Sequence, residues 1–158
     1  MKKIESFQTD HTKMKCGIFV SRKDAFGQTT LTTFDLRMKV PNREPVMDNP
    51  ALHTIEHLGA TFLRSHETWA KRTVYFGPMG CRTGFYAIFE GDISSAEIQP
   101  LIVEMFCFIA NFEGDIPGAT ASECGNYQEQ NLDMAKWEAN NYLKVISEPK
   151  EENLIYPK

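Results

Sequence analysis

Hydrophobic and polar residues repeat along this chain with two distinct periods. Between residues 29 and 40, Phe34, Leu36, Met38 and Val40 take every second place, with Thr33, Asp35, Arg37 and Lys39 between them. A period of two predicts a strand with one buried and one polar face. Pro41 ends it. From Asn49 the period changes. Leu52, Ile55, Gly59, Phe62 and Leu63 recur at three- and four-residue steps, which predicts an amphipathic helix. Asn49 suits its N-cap, and Pro50 its first helical position, where a missing N–H costs nothing.

The remaining elements follow the same logic. Short strands are predicted at 16–21, 73–76 and 85–90, and a turn at 24–28 around Gly27. Ser94-Ser95-Ala96-Glu97 has the form of a capping box, and a helix follows with Ile98, Leu101, Ile102, Met105, Phe106 and Ile109 as its stripe. Pro100 either kinks that helix or marks its true start. A last helix is predicted over 132–146, with Ala135, Ala139, Tyr142, Leu143 and Ile146 facing inward. The polar ends, 1–15 and 147–158, read as a solvated arm and a loose tail. His66 reads as a surface residue, and Asp35 with Arg37 as neighbours on an exposed sheet face. There Arg37 is either half of a weak ion pair or a bidentate clamp for a substrate carboxylate.

Composition narrows the class. The chain has 158 residues, 42% apolar and 24% charged, which suits one globular domain spanning 1–158. Its 17 basic and 21 acidic residues give a net charge of −4, which leaves no basic footprint for nucleic acid or an anionic membrane. No apolar run is long enough to span a bilayer, and the N-terminus has no apolar segment behind its lysines. Cys16, Cys81, Cys107 and Cys124 form no CxxC pair, so free thiols in a reducing, cytoplasmic setting are expected. Cys16 and Cys107 read as structural.

The candidate chemistry gathers at His53-Thr54-Ile55-Glu56-His57. Histidines four apart share one helix face and make half of a divalent-metal site, with Glu56 beside them as a proton carrier. A third ligand must come from a distant carboxylate or from a loop cysteine. Two cysteines qualify. Cys81 lies in Gly77-Pro78-Met79-Gly80-Cys81-Arg82-Thr83-Gly84, a turn that exposes backbone N–H groups able to stabilise a thiolate. Cys124 is followed by Gly125, which permits close approach.

Five blocks in order carry a resemblance: Asp10-His11; Phe34-Asp35-Leu36-Arg37 with Pro41-Asn42; His53 to Leu58; Pro78-Met79-Gly80-Cys81-Arg82-Thr83-Gly84-Phe85-Tyr86; and Glu123-Cys124-Gly125-Asn126-Tyr127. Together they resemble the S-ribosylhomocysteine lyase (LuxS) family. The resemblance implies an α+β fold, a mainly antiparallel sheet packed against helices, and a homodimer with two active sites at the subunit interface. It implies one divalent metal per subunit, natively Fe²⁺ with Zn²⁺ or Co²⁺ able to substitute, held by His53, His57 and Cys124. Glu56 and Cys81 become the acid–base pair, and Ser6, Phe7, His11 and Arg37 hold S-ribosylhomocysteine. The family reaction gives homocysteine and 4,5-dihydroxy-2,3-pentanedione, the precursor of the quorum-sensing signal autoinducer-2. The chain departs from the commoner pattern at Cys16-Gly17, where Ala-Pro is usual, and at Phe76-Gly77, where a polar pair is usual.

Two readings from other classes compete. His-x-x-Glu-His is also the motif of inverted zinc peptidases, whose third ligand is a carboxylate. A non-catalytic, metal-stabilised interaction protein would instead close the site with four protein ligands.

Overall fold

The computed structural model describes residues 9–157. Four strands form one antiparallel sheet in the order β1-β2-β4-β3, with β1 at Gly17–Phe26, β2 at Thr29–Arg37, β3 at Thr73–Pro78 and β4 at Gly84–Glu90. Three helices accompany it: α1 at Asn49–Ser65, α2 at Ser95–Ala110 and α3 at Leu132–Ile146. This is the α+β architecture expected from the sequence. Among the described residues, no helix is long and apolar enough to cross a membrane.

The helices cover one face of the sheet. Ile18, Phe34, Leu36, Phe76, Phe85, Ala87 and Phe89 point into a single core with Leu52, Ile55, Leu58 and Leu63 of α1 and the apolar stripes of α2 and α3. Burying a large aliphatic or aromatic side chain contributes roughly 1.5–3 kcal/mol each, so this shared core holds α1 firmly against the sheet. The Ser94 capping box forms as read, and α2 continues through Pro100 rather than starting there. Helix α3 has the predicted bounds and is capped by Asn131, whose side chain accepts from the Met134 N–H. The cap of α1 is Asp48 rather than Asn49, which becomes the first residue of the helix.

Five expectations fail, each for a reason that alternation does not encode. Strand β1 is longer than predicted, reaching Phe26 through a bulge between Val20 and Arg22. The polar face of β2 is not exposed: Asp35 is 1% and Arg37 2% accessible. β2 is a central strand, and the chain end closes over its second face. The tail is accordingly not loose. It makes a 3₁₀ turn at Glu151–Asn153, Asn153 donates to the Cys16 carbonyl at 2.8 Å, and Tyr156 stacks on Phe19 at 4.8 Å. Cys107, placed in the helical run as a structural residue, faces outward on α2 and is exposed. His66 is more enclosed than a surface residue. Its ring accepts from the Thr68 and Trp69 N–H groups and faces Glu104 at 3.4 Å.

Candidate active site

Three donors converge beside α1. The side chains of His53, His57 and Cys124 offer ligand atoms that all lie within 4.8 Å of one another. The two Nε2 atoms are 3.0 Å apart, and the Cys124 Sγ is 3.4 Å from the Nε2 of His53. The opposite ring nitrogens are fixed by backbone carbonyls: His53 Nδ1 at 2.9 Å from the Glu129 carbonyl, His57 Nδ1 at 2.7 Å from that of Pro117. A carbonyl only accepts, so each Nδ1 carries the proton and each Nε2 presents its lone pair. Two lone pairs 3.0 Å apart repel one another, and one thiol proton can serve only one of them. A divalent cation resolves that conflict. Two nitrogens and a sulfur around a tetrahedral ion would stand about 3.3 and 3.6 Å apart, close to what is found. Carbonyl support of each histidine is the usual outer arrangement of a metal site.

The loops are built to deliver these groups. Gly118, at φ +72°, lets the chain turn against the His57 ring, where an added Cβ would lie 3.3 Å from Nδ1. Thr54 ties the Cys124 loop to α1: its hydroxyl accepts from the Asn131 N–H and donates to the Gln130 side chain at 2.7 Å. Sequence reading missed Thr54, although its place between the two histidines on a buried helix was a signal.

Glu56 stands on the same helix, partly exposed, and among the described residues no hydrogen bond or ion pair holds its carboxylate. The carboxylate third ligand of a peptidase is not what the fold supplies. Among the described residues the third group is the Cys124 thiol.

A second cluster lies on the sheet face turned away from the helices. Arg37 donates from Nε and Nη2 to the two oxygens of Asp35, at 3.1 and 2.6 Å. Its Nη1 donates to the Thr83 hydroxyl and stands 3.8 Å from the Cys81 sulfur. Thr83 is 3.1 Å from the same sulfur. Burial pushes the Cys81 thiol up, but the Thr83 hydroxyl and N–H and the Arg37 guanidinium outweigh it, and the thiol titrates below its ordinary value. The glycine-rich turn exposes Cys81, as its composition suggested.

The two clusters are separate within one chain. Among the described residues no hydrogen bond, ion pair or ring contact joins Cys81 or Arg37 to His53, His57 or Cys124, and Asp35 and Arg37 alternate on β2 with Phe34 and Leu36, which face the helices. His11 is fixed by a 2.9 Å contact from Nδ1 to the Thr9 carbonyl and touches neither cluster. Ser6 and Phe7 lie outside the described residues.

Comparison with known proteins gives the donor trio its setting. The sequence profile described as S-ribosylhomocysteinase (LuxS) matches residues 4–153. This chain belongs to the LuxS family. Its relatives are similar from end to end. A Borreliella burgdorferi (strain ZS7) protein named S-ribosylhomocysteine lyase is 57% identical over 157 residues, covering 99% of this chain and all of its own. Relatives of the same name from Finegoldia magna and Clostridium beijerinckii are 59% and 56% identical, each over 99% of both chains. Within the LuxS family, then, this chain has a complete His-His-Cys donor set and a poised thiol on a separate face.

Proposed function

We propose that this chain cleaves S-ribosylhomocysteine to homocysteine and 4,5-dihydroxy-2,3-pentanedione, with residues 1–158 acting as one catalytic domain. The observation that supports this reading most directly is the convergence of His53, His57 and Cys124 in a chain matched by the family over nearly its full length. The bond to sulfur lies at ribose carbon 5. It breaks by elimination only once a carbonyl stands at carbon 3, so that the carbon 4 proton becomes acidic. The carbonyl must therefore move from carbon 1 to carbon 2 and then to carbon 3. Each move takes one proton between neighbouring carbons and one between neighbouring oxygens.

A divalent cation held by His53, His57 and Cys124 supplies Lewis-acid polarisation of substrate oxygens, and Fe²⁺ is the ion we assign. The carbon protons fall to Cys81. As a thiolate it removes a proton, and as the resulting thiol it returns that proton to the next carbon. Glu56 moves protons between the oxygens, because it stands on α1 between His53 and His57 and among the described residues no hydrogen bond or ion pair holds its carboxylate. Arg37 serves Cys81 rather than a substrate anion: its Nε and Nη2 are held by Asp35, and its Nη1 faces the thiol and Thr83. His11, Ser6 and Phe7 hold the substrate in this reading.

Among the described residues nothing joins Cys81 to the trio within one chain, and the family resemblance points to sites shared between two subunits. We therefore assign a homodimer with two sites, each taking its donor trio from one subunit and Cys81 from the other. Four free cysteines and a net charge of −4 suit a cytoplasmic enzyme.

The deciding experiment is thiol release. The protein is purified anaerobically with Fe²⁺ or Co²⁺, given S-ribosylhomocysteine, and free homocysteine is followed with a thiol reagent. Release by the wild type, lost in Cys81→Ala with metal retained, is the expected result. A metal-loaded wild type that releases no homocysteine overturns the assignment.

A further inference from the structure

We propose that Tyr156, in the chain's C-terminal tail, is a positioning residue for Cys81, acting through Asp35 and Arg37. The proposal rests on the reading of Cys81 as the proton carrier. The Tyr156 hydroxyl donates to the Asp35 Oδ2 at 2.8 Å, and the same oxygen accepts from Arg37 Nη2 at 2.6 Å. Arg37 Nη1 then faces the Cys81 sulfur and the Thr83 hydroxyl. A continuous path of hydrogen bonds thus runs from the tail to the thiol, most of it withdrawn from water.

The tail is built into place at several points. Its ring stacks on Phe19 with the planes 14° apart, and Phe19 pairs directly with Asp35 across β1 and β2. One residue beyond Phe19's neighbour Val20, the bulged Ser21 offers its hydroxyl to Tyr156. Upstream, Asn153 lies so close to Gly17 that an added Cβ would overlap the Asn153 carbonyl. Gly17 is one of the two residues at which this chain departs from the commoner Ala-Pro. The glycine therefore has a local purpose: it lets the tail lie against β1 and carry Tyr156 to Asp35. Tyr156 lies beyond residue 153, where the family profile ends.

The direction of the effect follows from charge. Asp35 divides its negative charge between two donors. A neutral hydroxyl on Oδ2 draws part of that charge away from Arg37, which leaves the guanidinium's positive field less cancelled at Cys81. It also holds the carboxylate, and so Arg37, in one orientation. Removing the hydroxyl weakens both effects, and each raises the thiol's pKa. The other ionisable groups facing Asp35 are Tyr86 on β4 and Tyr142 on α3. Both phenols are held neutral, chiefly by burial, and among the described residues neither donates to the Asp35 carboxylate, Tyr142 being bonded to the Gly17 carbonyl, so neither replaces the missing hydroxyl.

The test reads Cys81 directly. Metal-loaded wild type, Tyr156→Phe and Gly17→Ala are alkylated with iodoacetamide across a pH series, and modification of the Cys81 peptide is quantified by mass spectrometry. Tyr156→Phe keeps the stack on Phe19 and loses only the hydroxyl. Its alkylation midpoint is expected to rise by about half a unit, a roughly threefold slower reaction on the acid side. Gly17→Ala, which displaces the tail without touching Tyr156, should shift it the same way. A merely structural tail would lower the thermal midpoint and leave the alkylation midpoint alone. A folded Tyr156→Phe with the wild-type alkylation midpoint overturns the proposal, and should that variant not fold, Gly17→Ala decides by the same criterion. Homocysteine release by the wild type is measured alongside. Its absence would sink the proton-carrier reading, while the alkylation shift still reports whether Tyr156 acts on Cys81.

Discussion

Gly59 packs so closely on the Phe76 ring that an added Cβ would overlap its Cε1 and Cζ atoms, and α1 meets β3 there through that ring alone. Phe76 cannot retreat, because it is stacked on Phe85 at 5.0 Å with the rings 7° apart. Alanine is a better helix former than glycine by about 1 kcal/mol, which alone would make Gly59→Ala stabilising. Overpacking a rigid aromatic pair costs about 1–3 kcal/mol, and here it should win. Gly59→Ala is expected to lower the urea midpoint with an unchanged slope, and Phe76→Leu in the same chain should recover part of the loss. A more stable single variant would show that α1 can shift freely over the sheet.

The donor trio predicts a metal-linked stability. An ion bound only by the folded protein stabilises it by about 2.7 kcal/mol when its concentration is a hundred times its dissociation constant. Cobalt is expected to raise the thermal midpoint of the wild type, and a chelator to reverse the gain. Cys124→Ala should bind far less metal by elemental analysis and show no cobalt-dependent rise. An equal rise in both proteins would remove Cys124 from the ligand set.

The Asp35–Arg37 pair is buried on both sides, with side chains 1% and 3% accessible. Removing one partner of such a pair costs about 3–5 kcal/mol, because the other is left charged away from water. Arg37→Met should therefore lose several kcal/mol in urea denaturation. Arg37→Lys keeps the charge and loses the fork, and should fall between Met and wild type. If Arg37→Met is as stable as wild type, Asp35 is being neutralised some other way.

Cys81 and Cys16 are pushed in opposite directions. Burial drives Cys16 up to about 11, whereas Thr83 and Arg37 hold Cys81 below the ordinary thiol value. At about pH 8, near the ordinary thiol pKa, iodoacetamide should modify Cys81 well before Cys16. The linkage to folding has opposite signs. The Cys81 thiolate adds stability above the unfolded thiol's pKa, and that is lost as pH falls through the folded value. The neutral Cys16 thiol adds stability below the unfolded pKa, and that is lost as pH rises toward 11. Cys16→Ala should thus flatten the stability loss on the alkaline side, and an unchanged alkaline limb would refute the burial argument.

How far the sequence could be read depended on whether a feature is local. The His53–His57 face, the Asn131-capped last helix and the Ser94 capping box each lie within a few turns of chain, and periodicity found them. From spacing alone Cys124 was one of several candidate third ligands, and only the family resemblance singled it out, because what brings it to α1 is Thr54 holding a loop more than 70 residues away. The burial of Asp35 and Arg37 was hidden for a similar reason. Alternation reports that a strand has two unlike faces, but not that Tyr156, over 100 residues later, closes the polar one. The tail itself looked loose because what fastens it is not local: the Asn153 side-chain amide reaches the Cys16 carbonyl, and Gly17, by lacking a Cβ, leaves room for the Asn153 backbone.

If Cys81 and the two histidines must meet across two chains, becoming folded and becoming competent are separate events. A single protomer has its core, the donor trio and the Cys81 thiol, yet among the described residues nothing joins the two. On the two-chain reading, spectroscopic signs of folding should not change as the protein is diluted. Turnover per chain should fall away below the concentration at which protomers part. On that reading abundance becomes a control on the activity of each chain.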